Sequence, residues 1–300
     1  MSLLNPFTAA KEDTKVSNEL KDFLTDFSIE VMPRTSAKIE SFTEILPKNT
    51  RVYIAHIEGV PIEEMVQTAK RISSEGFAVM PHFPARIIKN KNILEHWIKM
   101  YQDEAGIDQA LLLAGGVVSP HGDFKDSMQL VETELFDKHN FKNLHFAGHP
   151  EGNKDIDYDG STKNIDEALI WKQNFSERSD IDLALTTQFC FEADPVIEWA
   201  NSLIKNGINI PIHIGVAGPA KLQTLIKFSI ACGVGPSLKV LQKRAKDVKK
   251  LLLPFEPIDF LETLAEHKKA NPSFNITNVH FFPLGGINVN ASWINNATNN

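Results

Sequence analysis

A glutamate between two branched aliphatic residues, Ile29-Glu30-Val31, is the group in this sequence best suited to move a proton. On an interior strand its carboxylate loses water, which raises its pKa and suits it to general acid/base work near neutral pH. The competing reading of the same residue is an ordinary ion pair, for example with Arg34. Further polar residues and glycines close successive apolar runs: Pro81-His82, Ala114-Gly115-Gly116, Gly148-His149-Pro150-Glu151, Thr187-Gln188-Phe189, Gly215 and Pro283-Leu284-Gly285-Gly286. Glycines at such ends let backbone approach a flat or phosphorylated ligand, so together these groups have the composition of a ligand pocket. His82 is either a hydrogen-bond donor to a cofactor or a structural histidine.

Other chemistries lack their residues. There is no HExxH and no His/Asp cluster at metal spacing, so no metal site is expected. The GxSxG elbow, the Walker loop and a GxGxxG after a strand are all missing, so a bound dinucleotide would not use Rossmann geometry. Cys190 and Cys232 do not form a CxxC pair, and Cys190 reads as an inert small apolar residue. With 31 basic against 38 acidic residues and no basic block, neither nucleic acid nor an anionic membrane is an expected partner. The apolar stretch Ala110–Val118 is roughly half the length a bilayer needs, and the opening residues lack a secretory pattern, so a cytoplasmic location is expected.

These groups must be positioned by elements that the periodicity outlines. Eight β-rich runs recur: Ser28–Met32, Arg51–His56, Phe77–Pro81, Gln109–Leu113, Leu144–Gly148, Leu183–Gln188, Ile210–Ile214 and Asn278–Phe282. Their continuous apolar character suits parallel strands covered on both faces. Helical stripes lie between them, such as Ile62, Met65, Val66, Ala69 and Ile72. Asp194-Pro195 reads as a helix start closed by Gly207, and Gly218-Pro219 as another, carrying Leu222, Leu225, Ile226 and Ser229. Eight such units in 300 residues predict a single-domain (β/α)8 TIM barrel, with a doubly wound open sheet as the alternative. An extra N-terminal helix carries Leu20, Phe23, Leu24 and Phe27, and a helical insertion (Ser237–Leu253 and Ile258–His267) precedes strand 8. The expected organisation is a flexible arm over 1–15, the catalytic barrel over 16–294 and a disordered tail over 295–300.

Taken in order, the strand ends resemble the methylenetetrahydrofolate reductase family over roughly residues 25–290. The resemblance is carried by Phe27-Ser28-Ile29-Glu30 with Pro33-Arg34-Thr35, by Met80-Pro81-His82, by Leu113-Ala114-Gly115-Gly116 and by His149-Pro150-Glu151. Thr187-Gln188-Phe189-Cys190-Phe191-Glu192 is the most specific match. Ile214-Gly215-Val216 then precedes Lys227-Phe228, and the last strand reads Val279-His280-Phe281-Phe282-Pro283-Leu284.

The resemblance implies a flavin-dependent oxidoreductase interconverting 5,10-methylene- and 5-methyltetrahydrofolate, with FAD as cofactor and NADH or NADPH as a possible electron donor. It implies Glu30 as general acid/base, Gln188 and Phe228 as folate contacts, and His82, Ala114, Gly115, Gly116, His149, Asn153, Asp166 and Lys172 around FAD. Several positions depart from the family. Ala114-Gly115-Gly116 stands where the family usually has Arg-Gly-Asp, His149 replaces a tyrosine, and Asn153 occupies a histidine position. Loss of a negative charge beside a flavin favours its anionic reduced form, which points to a divergent member running in the oxidative direction. Two alternatives share the folate: a one-carbon or methyl-transfer barrel without flavin, and a non-catalytic folate-binding homologue. A homo-oligomer is expected, with the insertion before strand 8 offering apolar helices for the contact.

Overall fold

The computed structural model describes residues 16–245 and 254–299, so the expected arm over 1–15 lies outside the described residues. Eight parallel strands close into a barrel in chain order: β1 (Ser28–Val31), β2 (Arg51–Ile54), β3 (Ala78–Pro84), β4 (Gln109–Leu113), β5 (Asn143–Gly148), β6 (Asp182–Cys190), β7 (Ile212–Ala217) and β8 (Ile276–Phe282). The chain is thus a TIM barrel and not an open sheet. Closure is made by β8 against β1, with Ser28 opposite His280 and Ile29 opposite Phe281.

The helices are α1 (Asn18–Phe23), α2 (Pro33–Ser36), α3 (Ile62–Ser74), α4 (Lys91–Ala105), α5 (Ser127–Val131), α6 (Leu135–Lys138), α7 (Lys163–Ser176), α8 (Ala193–Lys205), α9 (Leu222–Ala231), α10 (Gly235–Ala245), α11 (Ile258–Ala270) and α12 (Ile287–Asn299). The N-terminal helix is α1, capped by Ser17, whose backbone N–H donates to Glu262 on α11 at 2.8 Å. Helices α10 and α11 form the insertion before β8, and 246–253 of the expected Ser237–Leu253 helix fall outside the described residues.

Side-chain alternation divides the strands cleanly. Ile29, Val31, Val52, Ile54, Leu144, Phe146, Ile212, Ile214, Val279 and Phe281 belong to the large core shared with the helices. The alternate residues, among them Tyr53, His145, His213 and His280, are buried as well. A second, smaller aromatic core gathers Phe189, Phe191, Leu222, Leu225 and Phe255 where α9 and α10 cover one side of the mouth.

Several boundaries differ from the sequence expectation. Strand β3 runs on to Pro84, so His82 is a strand residue. Strand β7 begins at Ile212 instead of Ile210 and ends at Ala217. Helix α8 starts at Ala193 with Glu192 as N-cap, which puts Asp194 and Pro195 inside its first turn. Helix α9 starts at Leu222, because Ala220 pairs instead with Phe255 in an isolated bridge. The tail expected to be disordered over 295–300 is helical through Asn299: Ile287, Ala291, Ile294 and Ala297 make a buried stripe at helical spacing, and Asn295 donates to the Ile45 carbonyl at 3.2 Å.

Gly215 marks a close approach between strands. The β6–β7 register shifts between Thr186 and Phe189, and the Gly215 N–H donates to Thr187 Oγ1 at 2.8 Å. A Cβ there would lie 2.3 Å from the Thr187 carbonyl oxygen. Gly215→Ala is therefore expected to destabilise the barrel by about 1–3 kcal/mol, read as a lower midpoint in urea unfolding.

Candidate active site

The carboxyl ends of the strands surround a cleft of about 1080 Å³. At its floor Glu30 is mostly buried, its Oε2 3.3 Å from His82 Nε2 and 3.8 Å from His280 Nε2. The second histidine is held from behind, its Nδ1 sharing a hydrogen bond with Ser28 Oγ at 2.9 Å. Burial pushes the Glu30 carboxyl up, but the neighbouring His280 and His82 imidazoles outweigh it and hold the group at about 2. This reverses the sequence expectation of a raised pKa, and it replaces Arg34 by two histidines as the partners. The reason is tertiary: β8 lies beside β1 in the closed barrel, while His82 reaches Glu30 from β3.

A polar layer packs against this triad. The Tyr53 ring lies 4.4 Å from the His280 ring, centroid to centroid. Its hydroxyl shares a 2.6 Å hydrogen bond with His145 Nδ1, and Thr186 Oγ1 is 3.3 Å away. Burial raises the Tyr53 hydroxyl to about 12 and lowers His213 to about 3. Burial likewise pushes His145 well down and lowers His280, although Glu30 opposes the shift in His280.

The walls of the cleft differ in character. On one side Ala114, Gly115, Gly116 and Gly148 present backbone. Gly115 adopts φ +94°, and a Cβ there would come within 3.0 Å of Pro84 Cβ, so this turn requires glycine. His149 stands half-buried beside them, held neutral at about 4 by burial and the nearby Lys172 charge. On another side Phe228 packs on the aromatic core of Phe189 and Phe191. Gln188 lies at the end of β6, its Oε1 accepting from the Phe189 N–H at 3.1 Å.

Of the sequence-derived site residues, Glu30, His82, Ala114, Gly115, Gly116, His149, Asn153, Gln188 and Phe228 all line this cleft. Asp166 and Lys172 do not. Asp166 is exposed on the first turn of α7 and accepts from Thr162 Oγ1 at 2.8 Å. Lys172 is buried between α7 and β5, with Nζ donating to the Ala147 carbonyl at 3.1 Å, and burial lowers it to about 8. Cys190 is buried and its thiol is pushed well up. Among the described residues no group of three His, Cys, Asp or Glu side chains is arranged to hold a metal ion, and no helix is long and apolar enough to cross a membrane.

Sequence reasoning passed over Ser28 and Tyr53 as site residues, gave His280 no role, and missed the His145–His213 pair, whose rings lie 4.6 Å apart. The available signal was parity: Ser28 and Glu30 share one face of β1, and Tyr53, His145, His213 and His280 each stand between two apolar residues in β2, β5, β7 and β8. Asp157 was missed too. It is buried and its carboxylate accepts from the Asn164 and Ile165 N–H groups at 3.0 and 3.2 Å, anchoring the β5–α7 loop on the helix N-terminus.

No family model matches the chain. Among solved structures it is similar to an uncharacterised protein from Clostridium thermocellum that binds two copies of 5-methyl-5,6,7,8-tetrahydrofolic acid. The identity is 12%, the TM-score 0.57, and the match covers 94% of this chain and 96% of the other. At that identity the likeness establishes the barrel fold alone.

The buried histidines set the sign of the pH response. His145, His149 and His213 hold fewer protons folded than unfolded below their usual value of 6.5. Stability is therefore complete above that value and declines as pH falls toward the folded values. Unfolding free energy from urea titrations should drop between pH 6.5 and 4, by up to about 1.4 kcal/mol per pH unit for each such histidine. A flat profile across that window would contradict the neutral, buried assignment.

Proposed function

We propose that this barrel binds a reduced folate at its mouth and acts on the one-carbon unit carried at the folate N5, with Glu30 handling the proton. The observation that carries the reading is the Glu30–His82–His280 cluster on the floor of a cleft with a glycine wall and an aromatic wall. The similar barrel that binds 5-methyltetrahydrofolic acid supports the same ligand class.

The chemistry follows from the residues. Forming or breaking a carbon bond at N5 changes the protonation of that nitrogen, so a proton must be held nearby. Glu30 is ionised at neutral pH in the absence of ligand and is poised to accept an N–H. His280 Nε2 lies 3.8 Å from the carboxylate while Ser28 engages Nδ1, so the imidazole is oriented toward Glu30. Phe228 offers a face for the pterin ring, and the Gln188 amide nitrogen remains available as a donor to its polar edge. Arg34 and Lys38, both exposed on the rim, suit the carboxylates of the folate glutamate.

Flavin-dependent hydride transfer is the finer reading that the family resemblance implies. The glycine and apolar walls fit a flat flavin ring. Among the described residues Lys172, the cation expected to meet a dinucleotide's diphosphate, lies outside the cleft, which speaks against that group there. One-carbon transfer without flavin is the version of the reaction that this geometry favours.

Glu30→Gln should lower turnover of 5-methyltetrahydrofolate by about 10²–10⁴-fold, while its dissociation constant changes only a few-fold. Turnover is followed as loss of labelled methyl group with a thiol acceptor, and separately with an artificial quinone as hydride acceptor; binding is followed by calorimetry. Folate binding with no turnover in either assay would mark a folate-binding protein in place of an enzyme.

A further inference from the structure

We propose that Arg86 is the anion anchor for a second ligand, which shares the cleft with the folate and is held by its own carboxylate or phosphate group. The inference rests on the folate reading above and names the chemistry of the molecule that lies beside the folate.

Arg86 sits in the turn after β3 (Ala85–Ile87) and lines the cleft. Both its backbone and its side chain are tied down. The backbone N–H donates to the Ala114 carbonyl at 2.9 Å, and the backbone carbonyl accepts from the His121 N–H at 2.7 Å. From the side chain, Nε donates to the Lys125 carbonyl at 3.0 Å and Nη1 to the Val117 carbonyl at 3.1 Å. The β4–α5 connection that supplies these partners is itself pinned. The Asp123 N–H donates to the Lys89 carbonyl at 3.0 Å, and a Cβ at Gly122 would run into that same carbonyl. An arginine held this way has little rotamer freedom left to lose when an anion arrives.

Those bonds leave most of the guanidinium unused. It has five N–H donors and the two carbonyls take two, so both Nη2 hydrogens and one on Nη1 remain. Carbonyls also orient the group without neutralising it. Arg71 pairs with Glu75 at 3.5 Å and Lys138 with Glu95 at 2.7 Å, whereas Arg86 meets no carboxylate among the described residues. Acids on the flanking connections are engaged elsewhere. Glu58 pairs with His121 at 2.9 Å, and Asp126 accepts from the Met128 and Gln129 N–H groups at 2.9 and 3.1 Å. An oriented, uncompensated positive charge on a cleft wall selects an oxyanion.

The place of Arg86 separates it from the cations assigned to the folate. Arg34 and Lys38 follow β1, whereas Arg86 follows β3, with the end of β2 between them. Its N–H on the Ala114 carbonyl sets it beside the wall of Gly115 and Gly116. A Cβ at Gly116 would meet nothing within 4 Å, so open space adjoins that wall. His82, which faces Glu30, lies four residues back on the same strand, at most about 14 Å of extended chain. A molecule of modest size anchored on Arg86 therefore reaches along the glycine wall toward Glu30.

The test is calorimetry of the full chain with benzoate, inorganic phosphate and 5-methyltetrahydrofolate, on the wild type and on Arg86→Gln. The wild type should bind benzoate or phosphate at millimolar concentration, benzoate marking a carboxylate ligand and phosphate a phosphorylated one. Arg86→Gln should weaken that anion by about 10–100-fold with the urea midpoint unchanged. Neither anion bound by the wild type, or equal affinity in the variant, would overturn the proposal. So would a matching fall in 5-methyltetrahydrofolate affinity, which would put the folate's own glutamate on Arg86. If the urea midpoint of the variant falls, phenylglyoxal labelling of the wild type decides. Peptide masses should then show Arg86 protected several-fold by the bound anion, and unprotected labelling would overturn the assignment. An anion held through Arg86 with no folate bound would overturn the folate reading and leave the anchor standing.

Discussion

A carboxylate placed inside a barrel must find partners there, because leaving it unpaired in a low-dielectric interior costs several kcal/mol. Glu30 meets that requirement only when β8 closes on β1, which brings His280 to its Oε2 and Ser28 to the far nitrogen of the same ring. His82 completes the arrangement from β3. Much of the barrel interior follows from this constraint. Where many TIM barrels fill the interior with branched aliphatic layers, this one packs Tyr53, His145, His213 and Thr186 into a connected polar layer. Histidine suits such a layer because it can remain neutral while still hydrogen-bonding; a lysine there would carry a charge that burial penalises.

The same logic governs the mouth. Loops at the carboxyl ends of the strands are free to vary, yet here they are held by their own polar groups. Arg86 holds two carbonyls of the β4–α5 connection, and Asp126 and Asp157 hold two helix N-termini. These bonds fix the connections that frame the mouth, and between them the wall is glycine backbone at Gly115 and Gly116. The ligand chemistry of the cleft is therefore set as much by which donors are already satisfied as by which residue types are present. Satisfied donors contribute little further energy to a new acceptor, whereas the uncovered glycine surface is available to any flat ring.

Much of the architecture was legible from residue order. Continuous apolar runs such as Ala110-Leu111-Leu112-Leu113, separated by helical stripes, specify parallel strands with crossover helices, and all eight strands lie where those runs fall. The errors sit at boundaries where a tertiary contact overrides local preference. Gly218-Pro219 did not open a helix because Ala220 pairs with Phe255, and the Asn-rich end did not fray because its apolar stripe docks on the barrel. For the site, nine of the eleven singled-out residues share one cleft, since the ends of parallel strands must converge. Asp166 and Lys172 escaped because their helix turns one outward and buries the other.

By itself, then, the sequence determined the eightfold strand–helix repeat, the position of Glu30 within it and the strand ends at which polar residues and glycines gather, because hydrophobic periodicity and strand direction are properties of the chain alone. Only the tertiary structure decided the partners of Glu30, and with them the sign of its pKa shift. The opposing effects were desolvation, visible in the flanking Ile29 and Val31, and stabilisation by His82 and His280, which lie far away in sequence and arrive only on closure. The tertiary structure likewise decided which cations remain free to meet a ligand, because a hydrogen-bond donor is committed by geometry and not by its residue type.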